Sequence, residues 1–560
     1  MAYFVKKNIK NNKTYYSIVN SFYDGKRGHT AHETYASYGS GKGLKEKGIT
    51  DIEEYLSEEV KKLNYEKSKS EAREISEIAP YKYAGHFLIK SIIGKLNVEE
   101  ILNVYDLTTS FRFRLFDVLS SLIYARIINP CSKYRTYFDV IPYLDEEYSF
   151  SYDQLLTGLS YFGENYEKIT EIFTKLTKEK YGINTDATYF DCTNFYFEID
   201  MEDDLRKKGP SKENRKEPLV GMGLLLDKNQ LPIGLDLFPG NQSERPKLRE
   251  IIAKLKDQSE TAGRIIQIAD KGLNCAANIY QALKEKDGYI FSKSCKMLPE
   301  TEKTWIFLDN DYTEVKDKDG KLLYKTKECI DTFPYSFTDG NTKRINFRVK
   351  EKRVVTYNPS LARKQIQEIN KLETKAYELS AARARKEEYG ECSRYVEFIG
   401  KDNEKAKTRI NQKKIDEDKK IAGYNLLVTS EINMSQSDIY KAYHNLWRIE
   451  ESFRIMKSEL DIRPVFLKTK ETIYGHFLIC YLATLLIRIL QIYELKDEDS
   501  YQEIFRFIRQ FRFTLISNNK YVNMATSSDF INKLSDMTHL PLKNAILSNS
   551  QYKKIMTYKL

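Results

Sequence analysis

Three acidic residues stand where they could do chemistry. Asp191 lies inside the otherwise apolar run TYFDCTNFYFEI (188–199), Asp270 closes RIIQIAD (264–270), and Glu450 sits in YHNLWRIEESFRIMK (443–457). A carboxylate buried in a strand is costly unless a cation, a hydrogen-bond network or a metal meets it. Singly, each has an ordinary use: Asp191 can bond a neighbouring strand, and Asp270 can cap the next helix, although Asn274 is placed for that cap. Together, two carboxylates on adjacent strands and a third on a helix packed over them can hold two hard divalent cations through oxygen ligands. Two such ions about 4 Å apart stabilise the attacking and leaving oxygens of an in-line displacement at phosphorus. The chemistry predicted is phosphoryl transfer.

Wound as one helix at about 100° per residue, 443–457 places Tyr443, Leu446, Glu450, Arg454 and Lys457 on a single stripe. Lys457 could then meet the phosphate of a bound strand, and Tyr443 could add a hydroxyl. An exposed ion-pair ladder is the commoner use of such charges, but it leaves the aromatic and apolar neighbours unexplained. His444 faces away from Glu450 on the helical wheel and makes a poor general base.

Positioning these residues falls to a succession of unlike segments. Residues 3–38 alternate short apolar runs with turn signals, a small β arm, and a charged helix extends from there to about 75. From 83 to 180 the apolar spacing is helical. There, RIINPCSK (126–133) ends one helix and offers Ser132 and Lys133 at a new N-terminus, where backbone N–H groups could hold a phosphate; an ordinary turn explains the same residues. Next come three strands near 188–199, 220–227 and 232–240, a helix at 245–258, a strand at 264–270, a helix near 276–286 and a strand at 288–294, an α/β plan with a mixed sheet. Charged short strands interrupt it, YNLLVTSE (424–431) resumes it, and Ser435 with Asp438 opens the Glu450 segment as a capping box. Residues 295–423 therefore read as an insertion.

YHNLWRIEESFRIMK resembles the Y…R…E…K signature of DDE transposases of bacterial insertion sequences, in the branch with a β-rich insertion before the last acid. YFDCTN is similar to that family's first-Asp strand and IADKGLN to its second; 209–244 resembles the stretch between them, and LDIRPVFLKTKETIYGHFLICYLA (460–483) resembles the family's segment after the Glu. The resemblance covers roughly 85–495. It implies a ribonuclease-H-like catalytic domain with a mixed sheet (181–294 and 424–495), interrupted by the β-rich insertion (295–423). A helical DNA-binding domain (81–180) precedes it, with an N-terminal β arm and charged helix (1–80) before that and a C-terminal helical region (496–560) at the end. It further implies Asp191, Asp270 and Glu450 as catalytic and metal-binding residues for two Mg²⁺ ions, with Mn²⁺ as the alternative. Tyr443 and Lys457 match the signature's ends. Leu446 stands where the signature has Arg, so Arg448 or Arg454 would have to make that phosphate contact.

On this resemblance the chain binds double-stranded DNA, both its element's terminal inverted repeats and the target. It cuts the ends, through hairpins in many relatives, and joins their 3′-hydroxyls to the target, working as a homodimer at synapsis in a bacterial cytoplasm near the nucleoid. The alternatives are a transposase-derived DNA-binding regulator and a metal-dependent nuclease without strand transfer.

Composition fits without deciding. The 560 residues exceed one ordinary core, and a net charge of +10 suits a polyanionic partner or plain solubility. Seven Cys with no C-x-x-C pair indicate neither a disulfide framework nor a zinc site. The start lacks an apolar signal core, and IYGHFLICYLATLLIRIL (473–490), broken by His476 and Arg488, reads as a buried helix rather than a membrane span. YGSGKGLK (38–45) lacks the phosphate-loop spacing. Trp305 reads as core, although relatives can place an aromatic in the insertion to stabilise a flipped base. In TKRINFRVKEKR (342–353) strand alternation puts Arg344, Arg348, Lys350 and Lys352 on one face, a DNA-backbone track or a charge-protected edge. IFRFIRQFRF (504–513) interleaves Arg506, Arg509 and Arg512 with aromatics, a DNA contact or an amphipathic packing helix, with packing the favoured reading.

Overall fold

The computed structural model describes residues 2–24, 29–71, 81–210, 216–257, 263–340, 343–399, 407–463, 465–517 and 520–560. Residues 72–75 of the expected N-terminal helix and 211–215 of the 209–244 stretch lie outside them. The chain divides into two compact units, Met1–Pro80 and Tyr81–Leu560.

In the first unit β1 (Tyr3–Lys10), β2 (Lys13–Asp24) and β3 (His29–Ser40) make an antiparallel sheet. Asn11 and Asn12 join the first two with φ of 49° and 56°. Asn tolerates the left-handed region, which a two-residue hairpin with the strands' own twist requires. The short helix Gly41–Glu46 and helix Ile52–Glu71 come next, and Ile18, Leu44, Ile52 and Leu56 form the core.

The second unit opens with β4 (Lys82–Tyr83) and helices that include Leu115–Ile128, Tyr152–Glu164 and Tyr166–Tyr181. Then β5 (Ala187–Tyr196), β6 (Leu219–Leu226) and β7 (Pro232–Pro239) form an antiparallel meander. Helix Glu244–Asp257 carries the chain back to β8 (Ile266–Ala269), parallel to β5, and helix Ala276–Lys284 leads to β9 (Gly288–Lys293), parallel to β8. Parallel neighbours need such crossovers, and helices on the faces bury their apolar sides.

Four more strands extend this sheet: β10 (Thr313–Lys316), β11 (Leu322–Asp339), β12 (Lys343–Tyr357) and, after the ribbon β13 (Val396–Ile399) and β14 (Lys407–Ile410), β15 (Tyr424–Thr429). The nine-stranded order is β10-β11-β12-β15-β9-β8-β5-β6-β7. Where charge suggested short strands, β11 and β12 form one long hairpin. Its outer half is an exposed ribbon, and its inner half enters the sheet beside β15, burying Val354 and Val355. Residues 295–423 thus leave β9 and return to β15, its antiparallel neighbour.

Alternation along the central strands separates two cores. Tyr189, Phe195 and Ile268 face a large core against helix Lys470–Ile489, and Phe190, Cys192 and Ala269 face a smaller one that includes helices Glu244–Asp257 and Ala276–Lys284. The apolar 473–490 run is spent inside this large core, where its residues are buried almost throughout. Helices Tyr152–Glu164 and Lys470–Ile489 cross backbone to backbone: a Cβ on Gly163 would lie 1.7 Å from the Glu471 carbonyl oxygen, and one on Gly475 2.1 Å from that of Leu159. Helix Tyr501–Gln510 and a small sheet of order β18-β17-β16-β4 complete the unit, with β16 (Arg512–Ser517), β17 (Lys520–Asn523) and β18 (Ile546–Ser548).

Candidate active site

In the parallel pair β5–β8, Phe190 stands opposite Ala269. Asp191 is the next residue within β5 and Asp270 the first residue after β8, so the two stand side by side across the pair, roughly 4.8 Å apart in backbone spacing. Strand alternation turns both toward the large-core face, and both are half-buried. Asp191 Oδ1 accepts from the Cys192 amide at 2.8 Å. Asp270 Oδ1 accepts from the Tyr443 hydroxyl at 2.9 Å. Burial first, and then the Asp270 carboxylate, raise the Tyr443 pKa above the ordinary phenol value. The phenol expected to serve a phosphate is therefore engaged with one of the aspartates. Asn274 does not cap helix Ala276–Lys284; its amide reaches the Ser292 carbonyl at 2.9 Å, and Ser292 Oγ in turn donates to Asn425 at 2.8 Å.

The expected single helix around Glu450 is three pieces. Helix Gln436–His444, capped by Ser435, ends at Asn445; Trp447–Arg454 comes next, and Ile455–Glu459 is a π-helical turn. Asn445 and the π turn each shift the angular register, so the five residues no longer share one stripe. Glu450 is exposed on a helix packed against β5. Among the described residues no three His, Cys, Asp or Glu side chains are grouped to hold a metal. The two aspartates are adjacent, and the helix of Glu450 packs on β5, the strand that carries Asp191.

The cations divide. Lys457 lies with its ammonium 5.6 Å from the centre of the Phe195 ring, on the face of β5 that carries Asp191. Arg454 is exposed, and Leu446 packs against the large core. Arg448 is committed inward, donating to Glu451 at 3.0 Å and to Asp497. Glu451 also accepts from the fully buried Arg488 at 2.6 Å. The residue after Glu450 thus ties its helix to the core through a buried ion network that sequence reasoning missed, the signal being an Arg inside an apolar run. Trp447, 48% exposed beside Glu450 with Arg448 over its ring, was also missed.

Elsewhere Arg344, Arg348 and Lys350 are exposed on β12, but Lys352 is not part of that surface. It is buried, donating to the Met434 carbonyl at 2.9 Å and pairing with Glu328 at 3.1 Å, because β12 enters the sheet at that point. Ser132 caps the short turn Lys133–Arg135 by accepting from the Arg135 amide at 3.3 Å, and Lys133, its first residue, is buried. His444 bonds to the Tyr440 carbonyl, and burial lowers its pKa. Trp305 packs against the smaller core with Lys327 5.0 Å from its ring centre. Arg509 bonds to Glu459 at 2.8 Å and to the Ile127 carbonyl, a packing role.

Residues 185–486, more than half the chain, match the family model of the transposase DDE domain. The chain belongs to the DDE transposase family. The matched span begins just before β5 and ends in helix Lys470–Ile489, so Asp191, Asp270 and Glu450 all fall inside a transposase domain built on a large mixed sheet. A search of curated proteins returned no match.

Proposed function

We propose that this chain is the transposase of a bacterial insertion sequence. It binds the terminal inverted repeats of its element, cleaves them, through hairpin ends or directly, and joins the 3′-hydroxyls to target DNA. The observation that carries this reading is the β5–β8 register, which sets Asp191 beside Asp270 under the helix of Glu450. In this reading 181–294 and 424–495 form a ribonuclease-H-like domain, 295–423 is inserted into it, and 81–180 is a helical DNA-binding domain. The β arm and helix of 1–80 precede these, and 496–560 is a C-terminal region in which helices flank strands β16–β18, not the wholly helical one expected.

Three carboxylates are hard oxygen donors of the kind Mg²⁺ or Mn²⁺ takes, and two already lie side by side. Asp191, Asp270 and Glu450 would hold two such ions, which when bound supply the positive charge that stabilises both oxygens exchanging at phosphorus. Tyr443 fixes the orientation of the Asp270 carboxylate. Lys457 meets a strand phosphate on the Asp191 face, and exposed Arg454 makes the contact left open by Leu446. Arg344, Arg348 and Lys350 track the DNA backbone, gaining affinity by counterion release. Synapsis of two ends makes the working form a homodimer, and the setting is the bacterial cytoplasm at the nucleoid.

The test is Asp191→Ala on DNA carrying the repeats that flank the reading frame. The variant should bind the ends, because most affinity lies in distributed phosphate contacts, and should not cut them with Mg²⁺. Cleavage near the parent's rate would overturn the assignment. A joining assay on the parent separates transposition from simple nuclease action.

A further inference from the structure

A cavity of about 590 Å³ lies beside the turn after helix Leu115–Ile128. Two of its lining residues, Arg126 and Lys133, are cations more than nine-tenths buried. Arg126 donates to neutral groups, the Leu460 carbonyl at 3.4 Å and the Cys131 carbonyl at 2.8 Å. The Lys133 ammonium donates to His476 Nδ1 at 3.1 Å, while His476 Nε2 donates to the Ile462 carbonyl at 3.0 Å. Among the described residues neither cation has a carboxylate partner. Asp461 is the one acidic residue lining the cavity, and it is exposed.

Two buried cations without a counter-charge are costly, and the structure bears the sign of that cost. Burial first, then the Arg126 guanidinium, hold the Lys133 pKa well below the ordinary lysine value. An anion entering the cavity would supply the missing charge. The volume falls in the range of sites for small organic ligands, well beyond what a lone phosphate needs. Tyr134 and Phe466, 61% and 69% exposed, line the same cavity and offer ring faces to a sugar or a base.

The position favours a DNA strand over a free small anion. Leu460, whose carbonyl Arg126 holds, comes directly after the π turn that continues the Glu450 helix, and the helical rise from Glu450 to it is about 15 Å. Lys457 lies over Phe195 and Arg463 lies 4.1 Å from the Tyr196 ring centre, so two cations stand in the chain between Glu450 and the cavity-lining Val465. Resting on the transposase reading, we propose that the cavity binds one nucleotide of the DNA strand being processed. Its phosphate lies against Lys133 and Arg126, and its sugar–base edge lies against Tyr134 and Phe466.

The experiment measures binding of the full chain to a duplex carrying the flanking repeats, without divalent metal, over a range of salt. Lys133→Met should lower the slope of log Kd against log salt by about 0.9, one phosphate contact, with no loss of melting temperature. Neutral methylphosphonates scanned along each strand should weaken the parent at one position and leave Lys133→Met unchanged there. The surface variant Tyr134→Ala/Phe466→Ala, which leaves the core untouched, should lose affinity with an unaltered salt slope. A parental slope in Lys133→Met together with a scan showing no coupled position overturns the proposal. So does competition by inorganic phosphate that depends on Lys133 while DNA binding does not. Cleavage by the parent with Mg²⁺ is read separately: a parent that cuts while the scan is silent sinks the cavity alone, and one that shows the coupling without cutting sinks the transposase reading alone.

Discussion

Replacing Glu451 with alanine should destabilise the protein far more than a lost surface charge would. Glu451 is buried and accepts from Arg448 at 3.0 Å and from Arg488 at 2.6 Å. Arg488 is 0% exposed, its Nε and Nη2 already have no hydrogen-bond partner, and without Glu451 it keeps only Gln491 as a side-chain acceptor. Burial first, and then the Arg448 charge, lower the Arg488 pKa, and Glu451 is the largest opposing influence. Breaking a buried pair by removing one member costs about 3–5 kcal/mol, whereas an exposed pair contributes about 1 kcal/mol or less. Removing both charges with Glu451→Met/Arg488→Met should recover most of that loss, because the uncompensated cation is gone and similar volume remains. Urea denaturation monitored by tryptophan fluorescence is the natural assay, since Trp447 opens the same short helix and carries Arg448 against its ring. A loss under about 1 kcal/mol in Glu451→Ala, or a double variant no more stable than that single one, would refute the reasoning.

Tyr443→Phe removes the donor that orients Asp270, so single-turnover end cleavage should slow by about tenfold or more, and the lost bond to a charged acceptor should cost about 1.5–3 kcal/mol of stability; unchanged cleavage would remove Tyr443 from the site. In Lys457→Met an ion-pair role predicts parental cleavage and a role on substrate phosphate predicts a clear drop at near-parental melting temperature, the outcome expected here, read on one preparation. Asp227, buried at the β6–β7 turn and accepting from the Leu231 and Asn184 amides, has its pKa pushed up by burial to about 6. A raised carboxyl pKa gives stability that is present below about pH 4 and lost as pH rises through 6, so the stability of Asp227→Asn relative to the parent should grow between pH 4 and 7 by about 3 kcal/mol, and a flat difference would contradict this.

The strands that carry the acids could be read because each is a compact apolar run bounded by turn residues; Asp191 falls inside β5 as read, whereas Asp270, read as the last residue of its strand, comes directly after β8. Their adjacency could not be read from spacing: β5 and β8 are separated by two strands and a helix, and parallel register is set by long-range packing. The Glu450 stripe failed for a local reason. A uniform 3.6-residue period has no place for the break at Asn445 or the π turn after Arg454, and each rotates the residues beyond it. Lys352 shared its alternation with Arg344, Arg348 and Lys350, but its burial depends on β15, which lies some seventy residues further on. Arg488 looked like a flaw in an apolar helix because its partner is on another element.

The crossing at Gly163 and Gly475 bears on how such chains can be recombined. Each glycine leaves room for the other helix's carbonyl, so a methyl group on either one pushes apart two helices, one from the segment before the sheet and one from the segment after it. A chimaera that joins the helices of 81–180 from one relative to the remainder of another will assemble only when both parents are small at this crossing. Exchange of the 81–180 helices between relatives is then restricted by the steric room at two glycine–carbonyl contacts.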